Sequence, residues 1–139
     1  MVQRKMNKKF ENLLIIPDGN RRYAVEHNIS PFDAYRLATK KLVEIVSWWS
    51  EDRRFDQLTL GFLTTHNFTS RPKEHLREGT KIAMELIRDV SICSDVADHN
   101  LRVKAIGDRE VFFKEYEGDE SELNGYLESS SHKRTLQNE

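Results

Sequence analysis

The first dense apolar run, Leu13-Leu14-Ile15-Ile16, ends in Pro17-Asp18-Gly19-Asn20, the pattern of a buried strand leaving through a turn. Residues 20–27 suit a short helix, and Ser30-Pro31-Phe32-Asp33 then supplies start signals for a longer one reaching about Ser50. Its apolar positions, Leu37, Ala38, Leu42, Ile45, Val46 and Trp49, recur at spacings of three and four, so one face is predicted to be buried. Residues 55–63 read as a second strand, and the polar stretch 64–70 as the loop leaving it. Arg71-Pro72 opens a third helix, carried to about Ala97 by Leu76, Ile82, Ala83, Leu86, Ile87 and Val90. Leu101 to Asp108 reads as a third strand with its own turn. Strand, helix, strand, helix, strand predicts an α/β fold with a parallel sheet and right-handed crossovers.

Two ends lie outside that pattern. Residues 1–10 carry Arg4, Lys5, Lys8 and Lys9 with no acid and read as a basic arm, either solvated or anion-binding. After Glu115 the apolar residues thin to Tyr116, Leu123, Tyr126, Leu127 and Leu136, with Ser129-Ser130-Ser131 among them, so 115–139 reads as a polar loop or disordered tail. The expected layout is therefore an arm over 1–10, an α/β domain over 11–114 and a tail over 115–139.

A length of 139 residues fits one domain. With 22 basic against 23 acidic side chains and a formal charge of -1, bulk attraction to nucleic acid is not expected, and any polyanion site must be local. No run approaches the roughly 18 to 20 apolar residues of a spanning helix, and the start lacks the apolar stretch of a signal peptide, so a cytoplasmic location is expected. The single Cys93 excludes a disulfide framework within the chain and reads as a small, buried or half-buried residue. Histidines 27, 66, 75, 99 and 132 show no HExxH or other ligand spacing, and the common nucleotide-binding and hydrolase motifs are absent. Trp48 and Trp49 point about 100° apart on a helix, so only one can face the core fully.

In a parallel α/β sheet, ligands bind outside the carboxyl ends of the strands, which places Asp18 to Tyr23 and Thr64 to Arg71 at one crevice. Arg21 and Arg22 at a helix start oppose the helix dipole, a penalty that a phosphate or diphosphate among the free N–H groups would reverse. Asp18 beside that anion would be repelled unless a divalent cation lay between them, and so the loop reads as a magnesium-diphosphate site. The same residues also make an ordinary turn, with Asp or Asn capping the helix and both arginines in solvent. Likewise Thr64, Thr65, His66 and Asn67 can serve only to close a loop, and Arg71 only to pair with Glu74.

Taken together, Leu14 to Ala24, Leu58-Thr59-Leu60, Thr64 to Phe68, Arg71 to Glu74 and Leu101 to Asp108 resemble the cis-prenyltransferase family, typified by undecaprenyl diphosphate synthase. The resemblance covers about residues 11 to 109. It implies a Rossmann-like three-layer fold and magnesium-dependent elongation of an allylic diphosphate with isopentenyl diphosphate, the growing chain lying in a hydrophobic tunnel beside the sheet. Carried across by position, Asp18 takes the magnesium and catalytic role, and Gly19, Asn20, Arg21 and Arg22 form the diphosphate loop with Arg71. Arg71 matches only if one extra residue is accepted after Phe68. Asn67 and Thr64 match polar residues near the reacting centre, while Tyr23, Tyr35 and Phe68 fall in the substrate pocket.

Several positions depart from the family pattern. Arg21 replaces a glycine, Tyr23 and Phe68 replace tryptophans, Pro31 replaces a basic residue, Tyr35 stands where a histidine is expected, and His66 replaces an acid. An altered pocket follows, and Tyr35 with the Pro-Asp-Gly opening resembles the branch that joins two dimethylallyl units into lavandulyl-type skeletons. The Arg-x-Gly-x-x-Arg-x-Ser type segment that holds isopentenyl diphosphate and the late metal-site Glu do not occur, so the fold is expected to be truncated. Three functions stand at this stage: a prenyltransferase, a non-catalytic or split-subunit module that binds prenyl diphosphate, and an inactive fragment. The resemblance further implies a homodimer or a partner chain supplying the missing half, with membrane contact only through the product.

Overall fold

The computed structural model describes residues 10–52, 55–63, 65–99 and 101–128. The basic arm over 1–9, Thr64 and the end of the chain from 129 lie outside the described residues. Strand β1 (Phe10–Ile15) pairs in parallel with β2 (Phe55–Leu60), Leu13 opposite Leu58 and Ile15 opposite Leu60. Between them run α1 (Asn20–Glu26) and α2 (Pro31–Glu51). The start of α2 follows from its sequence: the Ser30 hydroxyl accepts the Asp33 N–H at 3.1 Å, Pro31 fills the first turn, and Asp33 sits at the positive end of the dipole.

After β2 come α3 (Thr65–Ser70), α4 (Lys73–Ile92), α5 (Ser94–Asp98) and α6 (Arg109–Glu115). The expected polar loop is thus largely a one-and-a-half-turn helix, which the Arg71 N–H closes on the Asn67 carbonyl at 3.1 Å before Pro72 stops it. The core gathers Leu42 and Val46 of α2, Leu86 and Val90 of α4, Val96 and Leu101, with Ile15, Leu58 and Leu60 of the sheet packed against them. The sheet therefore buries one face on helices. Its other face leaves Leu14 57% and Ile16 59% exposed, and the second helical layer of a three-layer arrangement is not found among the described residues.

Three expectations are corrected. The single helix to Ala97 breaks at Cys93, whose backbone is extended (φ -65°, ψ 147°), with its thiol donating to the Val90 carbonyl at 3.1 Å. The break turns Val96 into the core, so packing overrides the helical period. Residues 101–106 form no ladder, and the sheet has two strands among the described residues. Burial does alternate there: Leu101, Val103 and Ala105 are more covered than Arg102, Lys104 and Ile106. Alternation states which way side chains face, and docking on the core satisfies it without a strand forming.

The third correction concerns the stretch read as a disordered tail. Residues 120–128 are helical and Leu123 is 3% exposed. Asp119 Oδ1 accepts the Ser121 N–H at 3.0 Å while Glu122 Oε1 accepts the Asp119 N–H at 3.4 Å, so side chains cap the start of this helix. Arg109 donates to Asn124 at 3.2 Å and Arg77 pairs with Glu117 at 3.5 Å, which tie this segment to α6 and α4. Tyr116 donates its hydroxyl to Glu122 at 2.8 Å. Burial, and then that carboxylate, push the Tyr116 phenol up to about 12.

Two outcomes follow from this packing. Leu42→Ala is expected to lower the free energy of unfolding by about 2–5 kcal/mol, read from urea denaturation, because Leu42 is 2% exposed between α2 and the rest of the core. For Tyr116 the folded state holds its proton above the ordinary value near 10, so its stabilising contribution is complete below that pH and is lost as pH rises toward 12. Between pH 9.5 and 11.5 the urea midpoint should fall further for the unmodified chain than for Tyr116→Phe.

Candidate functional site

Parallel pairing brings the ends of β1 and β2 to one edge, and both exits are tight. The ladder extends by one bond, from the Gly61 N–H to the Ile15 carbonyl at 2.9 Å, and a Cβ on Gly61 would stand 3.1 Å from Ile16 Cγ1. After Ile16 and Pro17, Asp18 accepts the Gly19 N–H on Oδ1 at 2.7 Å, and Gly19 takes φ 84°, the left-handed region that a side chain resists. Helix α1 starts directly after it. The first bond of its ladder runs from the Tyr23 N–H to the Gly19 carbonyl at 2.9 Å, and no side chain caps the turn ahead of it. Of the ordinary-turn alternative, the side-chain cap does not form, because Asp18 binds Gly19 instead of the helix end, while Arg21 and Arg22 are both exposed as it expects.

The resulting cleft has a volume of about 1010 Å³. Asp18, Gly19, Asn20, Arg21 and Arg22 form one wall, and Tyr35 of α2, Asn67 of α3 and Arg71 another. Three arginines face two carboxylates, Asp18 and Glu26, so the cleft favours an anion. Arg71 does not pair with Glu74: its guanidinium donates Nη1–H to the Tyr35 hydroxyl and lies 5.9 Å from the centre of that ring. His75, one turn beyond Arg71, also lines the cleft and meets the Phe32 ring edge-on at 5.3 Å. Sequence reasoning missed His75, although it lies four residues after Arg71, in the first turn of the helix that follows it.

Two of the expected pocket residues lie elsewhere. Tyr23 is not among the cleft-lining residues and stacks on His27 at 3.8 Å between ring centres. Phe68 lines a second, larger cleft of about 1260 Å³, which is bounded by β2, α4, residues 101–109 and the aromatic face of α6, where Phe68 and Phe112 lie 6.5 Å apart. Phe62 and Leu63 line both spaces. An anion-favouring cleft and a largely apolar groove thus meet at one pair of residues.

A family model described as "Putative undecaprenyl diphosphate synthase" matches residues 16–137. The chain belongs to this prenyltransferase family. The match runs beyond the 11–109 of the recognisable blocks and takes in the 120–128 helix. Among similar proteins, the tritrans,polycis-undecaprenyl-diphosphate synthase (geranylgeranyl-diphosphate specific) of Halobacterium salinarum is 30% identical over 108 residues, 78% of this chain and 35% of the relative. Its namesake from Pyrococcus horikoshii is 34% identical over 104 residues, 75% of this chain and 39% of that protein. The isoprenyl transferase of Helicobacter pylori J99 is 33% identical over 110 residues, 79% and 45% of the two chains. The chain therefore spans less than half the length of these curated relatives.

Within the prenyltransferase family match, the Gly19 turn is the piece of backbone on which the cleft depends. Gly19→Ala is expected to cost about 1–2 kcal/mol of stability, measured by urea denaturation, because the new side chain must occupy φ 84°.

Proposed function

We propose that the chain acts as a cis-prenyltransferase unit that binds an allylic diphosphate in the Asp18 to Arg22 cleft and couples it to isopentenyl diphosphate. The observation that carries this reading is the convergence of Arg21, Arg22, Arg71 and the uncapped first turn of α1 on one space that opens, past Phe62 and Leu63, onto an apolar groove. A diphosphate ester with a hydrocarbon tail has those two halves.

In this reading the arginines and the α1 N–H groups hold the departing diphosphate and offset the negative charge that grows as the allylic C–O bond breaks. The double bond of isopentenyl diphosphate forms the new C–C bond at the freed carbon, a proton then leaves the acceptor, and diphosphate is released. Asn67 and Thr64 are assigned to the reacting centre, and Asn67 lines the cleft. Phe68 walls the hydrocarbon side, whereas Tyr23, turned toward His27, is left outside the pocket assignment.

The donor set accords with magnesium carried in by the diphosphate. Asp18 uses Oδ1 on Gly19, and among the described residues no three His, Cys, Asp or Glu side chains gather into a protein cage. Magnesium is commonly held by one or two carboxylates together with substrate phosphates and water. Bound there through Asp18, it would supply charge neutralisation at the diphosphate.

A second reading is binding without turnover until a partner chain, a second copy or a different polypeptide, completes the acceptor site. The Arg-x-Gly-x-x-Arg-x-Ser type segment that the resemblance assigns to isopentenyl diphosphate does not occur in these 139 residues. Lavandulyl-type coupling of two dimethylallyl units rests on Tyr35 and the Pro17-Asp18-Gly19 opening. No helix among the described residues is long and apolar enough to cross a membrane.

Incubation of the full chain with magnesium, isopentenyl diphosphate and dimethylallyl or farnesyl diphosphate tests the enzyme reading, with diphosphate release and product skeleton as readouts. Asp18→Ala should reduce turnover by about 10²-fold or more while the thermal melt is unchanged. Full magnesium-dependent activity in that variant overturns the role of Asp18. A folded chain that binds magnesium-diphosphate but releases none supports the second reading.

A further inference from the structure

We propose that Tyr35 is a positioning residue whose hydroxyl and ring hold the Arg71 guanidinium toward the diphosphate cleft. The inference rests on the reading of that cleft as a diphosphate site and adds a residue that acts through another. A free arginine side chain has about 2 kcal/mol of rotamer entropy to lose on ordering, so an arginine that must meet an anion gains from being held beforehand.

Both ends of Arg71 are fixed. Its backbone N–H closes α3 on the Asn67 carbonyl at 3.1 Å, and its Nη1–H donates to the Tyr35 hydroxyl across 36 positions of sequence. The ring of Tyr35 lies against the same cation at 5.9 Å. A parallel contact braces the pair: Phe32, one turn before Tyr35, meets His75, one turn after Arg71, at 5.3 Å, and the Phe32 and Tyr35 rings stand 6.5 Å apart. The start of α2 is thus joined by neighbouring aromatic contacts to Arg71 and to His75 of α4, both of which line the cleft.

The nature of the partner matters more than its presence. A carboxylate would orient the guanidinium and cancel its charge; a neutral phenol orients it and leaves the charge for a ligand. One of the five N–H donors is committed to Tyr35, which leaves the rest of the fork for an incoming anion. The phenol accepts from Arg71 and keeps its own O–H as a further donor.

The test measures binding of inorganic diphosphate with magnesium to the full chain by calorimetry, for the unmodified protein, Tyr35→Phe, Arg71→Ala and the double variant. Tyr35→Phe deletes the hydroxyl and keeps the ring. It should weaken binding about tenfold with an unchanged melt, the scale of a lost hydrogen bond to a charged group. Arg71→Ala should lose at least as much, and the double variant no more than Arg71→Ala, because Tyr35 has nothing left to position. Tyr35→Phe that binds like the unmodified chain, or a loss that adds in full to that of Arg71→Ala, overturns the proposal while the diphosphate reading stands. An unmodified chain that binds no diphosphate overturns both. Independently of any variant's folding, rotation about the Arg71 Cζ–Nη1 bond of the unmodified protein should be restricted, giving separate Nη1–H resonances, and averaged, solvent-like Nη signals overturn the fixed geometry.

Discussion

Parallel pairing of Phe10–Ile15 with Phe55–Leu60 is the constraint on which the site depends. Parallel strands need a crossover, here α1 and α2, and their carboxyl ends then lie side by side. Two loops far apart in sequence, 16–19 and 61–63, consequently leave the sheet at the same edge and face the same space. Gly61 keeps the pairing going for one more bond beyond β2, in a gap where a side chain would press on Ile16. The helices that stabilise the pair gather on the Ile15, Leu58 and Leu60 face.

The separation of polar and apolar space comes from the same geometry. Cations from α1 and from the α3–α4 junction meet at the strand ends, where helix starts present N–H groups. The apolar groove lies along β2 and under α6, where strand and helix side chains meet without filling the space. Phe62 and Leu63, between strand and α3, belong to both. An ester with a charged head and a hydrocarbon tail would lie across them, and neither cleft alone would suit both parts.

Local chemistry was legible in the sequence and long-range geometry was not. The run into Pro17-Asp18-Gly19 and the Ser30-Pro31-Asp33 start are written in adjacent residues, and both features form where they are read. The break at Cys93 carries no Gly or Pro; it exists because Val96 fits the core, and only the assembled core shows that. Leu101 to Ile106 alternates like a strand but finds no ladder, since a side-chain pattern does not name a backbone partner. The helix at 120–128 was legible, in Asp119 to Glu122 and in Leu123 with Leu127, beneath a composition that reads as tail. The pairing of Arg71 with Tyr35 could not be read: a local rule offers Glu74, three residues away, and the fold offers a residue 36 positions back.

The shortness of α1 carries a consequence of its own. Seven residues are too few to hold a helix in isolation, and this one buries only Ala24 as it leans on α2. Its leading N–H groups are uncapped by side chains, so the turn that would receive an anion is also among the least secured pieces of the fold. Order and occupancy of that turn are therefore linked thermodynamically: whatever binds it selectively in the folded state lends the whole domain RT ln(1 + [L]/Kd) of stability. A ligand held at Gly19 would therefore raise the melting temperature of the chain.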